Sequence, residues 1–66
     1  MNRLTPNEVE LLDRLSRGQT IPEIATAWGR TPSLVYRTFR SARLTLDART
    51  DLEAMARWAR NGHGPH

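Results

Sequence analysis

Four threonines punctuate this sequence at points where a helix can begin: Thr5, Thr20, Thr31 and Thr50. Thr5-Pro6-Asn7-Glu8 places a capping hydroxyl, a proline at the first helical position and a glutamate three residues after the cap. The hydroxyl can accept from an orphan backbone N–H of the first turn, while the glutamate reaches back to the cap's own N–H. Thr20-Ile21-Pro22-Glu23 and Thr50-Asp51-Leu52-Glu53 repeat this box, and Thr31-Pro32 opens a further helix with Leu34 in place of the glutamate. Leu4 and Val9 have the spacing of a hydrophobic staple across the first cap. Gly18 and Gly29 stand where a left-handed residue ends a helix. There is no alternating Val/Ile-rich run. The fold class expected is therefore all-α, with helices over residues 6–17, 21–28, 32–45 and 51–60.

Apolar spacing assigns faces to these helices. Leu11, Leu12 and Leu15 share one side of the first, and Ile24, Ala25 and Trp28 form the stripe of the second. In the third, Val35, Thr38, Phe39, Ala42 and Leu46 fall within a sector of about 100° and form the inner face. Ser33, Tyr36, Arg37 and Arg40 lie opposite, with Arg43 at the margin. Leu52, Met55, Ala56 and Ala59 recur at helical spacing in the fourth and are expected to pack inward, with Trp58 at the edge of that stripe.

Length and composition limit the function classes. Sixty-six residues make one small domain, with little room for an enclosed catalytic cavity. There is no cysteine, which excludes a disulfide framework and a thiolate metal site. No apolar run approaches the roughly 18 residues of a membrane span. The expectation is a soluble, cytoplasmic protein that does not act at a membrane. His63 and His66 sit in a Gly/Pro-containing stretch, so residues 62–66 are expected to be a flexible tail following a domain over 1–61. Neither histidine has a rigid scaffold for general-base work or enough companions to ligate a metal. No enzyme activity, cofactor, metal or small-molecule ligand is expected.

Charge is the informative remainder. All ten basic residues are arginine; lysine is absent, a choice that suits bidentate contact with phosphate or guanine but also follows from GC-rich codon usage. Residues 1–29 balance at −1, residues 30–50 at +4 and residues 51–66 at zero. Positive charge is confined to the third helix and its flanks, the footprint of a polyanion-binding face. A short helix, a tight turn at Gly29 and a second helix with a basic outer side make a helix-turn-helix, whose second helix fits the major groove of B-DNA. Arg37 and Arg40 are then near bases. The hydroxyls and N–H groups at Thr20, Thr31 and Ser33 suit phosphates, with Arg30 and Arg43 as flanking cations.

From Leu4 to about Ala59 the chain resembles a LuxR/GerE-type helix-turn-helix domain. The resemblance rests on Leu4-Thr5-Pro6 with Glu8, on Leu11, Leu12, Leu15 and Gly18, on Glu23-Ile24-Ala25-Thr26-Ala27-Trp28-Gly29, on Val35 after Thr31, and on Arg49-Thr50. It departs from the family pattern at Thr38 (usually His), Leu46-Asp47-Ala48 (usually Leu-Gly-Val), Trp28 (usually Leu) and Arg43 (commonly apolar). The resemblance implies a bacterial or phage-encoded, nucleoid-associated transcriptional regulator that binds double-stranded DNA sequence-specifically. It is similar to the free-standing minority without a receiver or ligand-sensing domain. The resemblance places Tyr36, Arg37 and Arg40 on bases and implies homodimerisation through the fourth helix, with Met55 and Trp58 as candidate contacts. For Trp58 the competing reading is a shield over a small core. The competing reading for the whole chain is a protein-interaction module of the same fold, docking on RNA polymerase in the manner of a sigma-factor region 4 or on another transcription factor, with Leu44 and Trp58 as contacts.

Overall fold

The computed structural model describes residues 3–60 and contains α1 (Pro6–Ser16), α2 (Ile21–Trp28), α3 (Pro32–Thr45) and α4 (Asp51–Arg60). Among the described residues there is no strand. These bounds match the expected helices except at Arg17, which forms the C-cap of α1 with φ −88° and ψ 2°. The expected tail at 62–66, with His63 and His66, lies outside the described residues.

The caps explain why the helices start where they do. Thr5 Oγ1 accepts from the Glu8 N–H at 3.2 Å, and Glu8 Oε1 accepts from the Thr5 N–H at 2.8 Å. Thr20 and Glu23 repeat the pair at 3.3 and 2.8 Å. Thr31 caps α3 from one side only, through the Leu34 N–H at 3.3 Å. At α4, Thr50 Oγ1 accepts from the Glu53 N–H at 3.0 Å, but Glu53 Oε1 reaches one residue past the cap to the Arg49 N–H at 3.2 Å. Each cap contributes about 1 kcal/mol to its helix.

The exits follow one design three times over. After α1, Gly18 (φ 92°) donates to the Leu15 carbonyl and Gln19 to that of Arg14. After α2, Gly29 (φ 64°) donates to Thr26 O and Arg30 to Ala25 O. After α3, Asp47 (φ 56°) donates to Leu44 O and Ala48 to Arg43 O. This is the paired 5→2 and 6→1 closure of a Schellman motif, which needs a left-handed residue at its corner. A Cβ at Gly18 or Gly29 would meet nothing within 4 Å, so the dihedral rather than crowding favours glycine there. At Asp47 an L-residue occupies the same corner.

The core joins Leu11 and Leu12 of α1, Ile21, Ile24 and Ala25 of α2, Val35, Phe39 and Ala42 of α3, Ala48 of the last turn, and Ala54 and Trp58 of α4. Leu4, Leu15, Trp28, Leu46 and Met55 pack against it. Both α1 and α3 touch every other helix, whereas α2 and α4 do not meet. The α3 inner face is as expected at Val35, Phe39 and Ala42, while Thr38 and Leu46 are half-buried.

Helix α4 is rotated relative to the sequence expectation. Its buried residues are Ala54 and Trp58, and of the expected stripe only Met55 is half-buried against the core. Leu52 is 81% exposed, and Ala56 and Ala59 are exposed as well. Magnitudes explain the choice between two stripes on one helix. Burying an indole removes about 200 Å² from water, worth about 5 kcal/mol, against about 2–3 kcal/mol for a leucine. Trp58 therefore belongs to the core, and its side chain, 2% exposed, is not available to a partner.

Candidate nucleic-acid interface

The α2–turn–α3 unit is held on α1 by a polar tie as well as by the core. Trp28 Nε1 donates to Glu10 Oε2 at 2.7 Å, and Arg14 Nε donates to the same oxygen at 2.9 Å. Arg14 also reaches Gln19 Oε1 at 3.2 Å. The indole N–H first, and then the guanidinium, hold the Glu10 carboxyl below its ordinary pKa. At Glu23 the Thr20 backbone N–H, followed by its hydroxyl, lowers the carboxyl in the same direction. Trp28, where the family resemblance calls for leucine, thus gains a bond that leucine cannot make. Nothing in helical spacing marks Glu10 as its partner, since they lie 18 residues apart.

The outer side of α3 carries the candidate site. Ser33, Tyr36, Arg37 and Arg40 are all exposed, Tyr36 at 58%. Residues 30–46 include no carboxylate. Among the described residues Arg14, Arg17, Arg43 and Arg57 are ion-paired, and no carboxylate lies within pairing distance of Arg30, Arg37 or Arg40. Gly29, Arg30, Thr31, Ser33, Leu34 and Arg37 line one open concavity. The turn and the first part of α3 therefore bring Arg30, Thr31 and Ser33 together with Arg37. Thr20 is exposed at the start of α2, with its hydroxyl and N–H engaged in the cap.

Arg43 departs from the expectation that it would flank the site. Its Nη1 donates to Asp51 Oδ1 at 3.1 Å, its side chain is half-buried, and its Nε is buried without a hydrogen-bond partner. It joins the last turn of α3 to the first turn of α4. Sequence reasoning missed this because Asp51 lies across a turn, where helical periodicity carries no information. The family departure to arginine at this position is explained by that acid.

Among the described residues no group of His, Cys, Asp and Glu is arranged to hold a metal ion, and no helix is long and apolar enough to cross a membrane.

The chain is similar to a chain in the crystal structure of the phage VqmA-DPO complex, with 27% sequence identity and a TM-score of 0.88. The match covers 96% of this chain and 29% of that one, so this sequence spans less than a third of its neighbour's length. No protein-family model and no curated protein matches the sequence. The fold is that of a four-helix LuxR/GerE-like helix-turn-helix domain.

Proposed function

We propose that this chain is a LuxR/GerE-type transcriptional regulator that binds double-stranded DNA sequence-specifically, with α3 in the major groove. The observation that carries this reading is the acid-free, exposed face of α3, on which Arg37 and Arg40 stand without a carboxylate partner. A surface merely in contact with water normally mixes both signs. The likeness to a chain of the phage VqmA-DPO complex supports a regulator in a bacterial or phage setting, acting in the cytoplasm on the nucleoid. Tyr36, Arg37 and Arg40 reach base edges. Thr20, Arg30, Thr31 and Ser33 hold phosphates, and Arg43 is left out of that set because Asp51 holds it.

Two copies meet through α4 in this reading. With Trp58 in the core, the contact passes to Leu52, Ala56 and Ala59, an exposed apolar stripe at i, i+4, i+7 spacing, with the half-buried Met55 beside it. Two half-sites about one helical turn apart would then be bound together.

Fluorescence anisotropy on duplexes from the protein's own promoter, titrated with salt, tests the proposal. Affinity is expected to fall steeply with salt, and Arg40→Ala to lose about 1–3 kcal/mol on the cognate duplex and much less on random DNA. Equal losses on both duplexes would demote Arg40 to a phosphate contact, and salt-independent binding would remove the DNA reading. A second reading is favoured by Leu44, 66% exposed in the last turn of α3: a module docking on RNA polymerase or on a larger regulator. Leu44→Ala separates the two, since it removes the side chain such docking needs while keeping the α3 face free of acid, and so should weaken docking and spare DNA binding.

A further inference from the structure

The chemistry available to α3 for discriminating bases is narrow. In the major groove arginine and lysine pair bidentately with guanine O6 and N7, asparagine and glutamine with adenine, and aspartate and glutamate with cytosine. Residues 32–45 include no lysine, histidine, asparagine, glutamine, aspartate or glutamate. Arginine is therefore the only side chain on this helix able to form a two-point contact with a base. Three are present, and the structure withdraws one: Arg43 is half-buried and held by Asp51 at 3.1 Å. Ser33 and Ser41 can bond several bases without distinguishing them, and Tyr36 offers a ring for a thymine methyl or a hydroxyl for a phosphate.

The remaining two are set by helix geometry. Arg37 and Arg40 are three residues apart, which separates them by about 4.5 Å along the axis and about 60° around it. Base pairs stack at about 3.4 Å, so two arginines with this offset meet bases one or two steps apart. Both side chains are exposed and neither has a carboxylate to leave.

We infer that each half-site of the cognate DNA carries two guanines, adjacent or one base pair apart, taken by Arg37 and Arg40. This rests on the DNA reading above and adds the identity of the bases to it. A·T pairs enter the half-site through methyl contact, duplex shape and serine hydrogen bonds that do not distinguish bases.

Selection of the full chain on a random duplex library, followed by 7-deazaguanine substitution in the enriched sequence, tests it. The expected result is a motif with two guanines within two steps. Removing N7 at either should weaken binding about 5- to 150-fold. In Arg40→Ala, checked for unchanged helical content by circular dichroism, one of the two guanines should tolerate the 7-deaza change. A motif of A·T pairs alone, or indifference to 7-deazaguanine, overturns the guanine assignment and leaves DNA binding standing. Failure to enrich any sequence, with no salt-dependent affinity for duplex, overturns the DNA reading itself.

Discussion

Asp47 occupies a corner that the chain's other two helix exits give to glycine. A left-handed backbone costs an L-residue about 1–2 kcal/mol, although aspartate tolerates it better than most. Its negative charge also stands one residue past the C-cap of α3, at the negative end of the helix dipole, a further cost of about 0.3–1 kcal/mol. Glycine loses about 0.5–1 kcal/mol of this advantage through its freer unfolded chain. Asp47→Gly is therefore expected to raise stability by about 0.5–1 kcal/mol and the unfolding temperature by several degrees. A lower midpoint in thermal denaturation would refute this. Glu10 makes a second residue-scale prediction. Its carboxyl is lowered in the folded state by Trp28 and Arg14, so its contribution is complete above the ordinary glutamate range and vanishes as pH falls through the lowered folded value. Trp28→Phe removes the largest cause. The stability gap between wild type and Trp28→Phe, measured by urea unfolding, should narrow on acidification. Because Glu23 keeps its cap in both proteins, the narrowing reports Glu10.

At the scale of the element, α3 separates two jobs along one helix. Val35, Phe39 and Ala42 anchor it, and Arg37 and Arg40 face away from that anchor, whereas Arg43 binds α4. Arg43→Ala is expected to cost less than about 1 kcal/mol of stability, because the pair with Asp51 is partly exposed and screened. Its effect on DNA affinity should be small. Arg40→Ala should show the opposite pattern, with stability unchanged and cognate affinity reduced. Parallel unfolding and anisotropy titrations of both variants check this; a large affinity loss in Arg43→Ala would return that residue to the DNA surface.

On the whole-molecule scale the thinnest extent is 20 Å, about two helix diameters, so every helix keeps a side in water. That geometry gives α4 one stripe for the core and leaves Leu52, Ala56 and Ala59 exposed on the other side. Trp58→Ala should cost about 3–5 kcal/mol. A 66-residue domain has only about 3–10 kcal/mol in total, so much of the protein should unfold near 37 °C. Leu52→Glu should leave the fold intact and move sedimentation toward monomer. An unchanged profile would take α4 out of the assembly.

Helix positions, caps and the two faces of α3 were legible in the sequence because they depend on neighbours three or four residues away. Thr5 with Glu8, Thr20 with Glu23, and the single apolar stripe of Val35, Phe39 and Ala42 each leave one local solution. The phase of α4 was not legible, because Leu52-Ala56-Ala59 and Ala54-Trp58 are both valid helical stripes and only the space left by α1 and α3 selects the indole. Arg43's attachment to Asp51 and Trp28's bond to Glu10 were equally hidden. Such pairs join separate elements, and no local period specifies how elements meet. Sequence alone thus determined where the rods lie and which side of α3 is charged, while tertiary packing decided which arginines remain free to act.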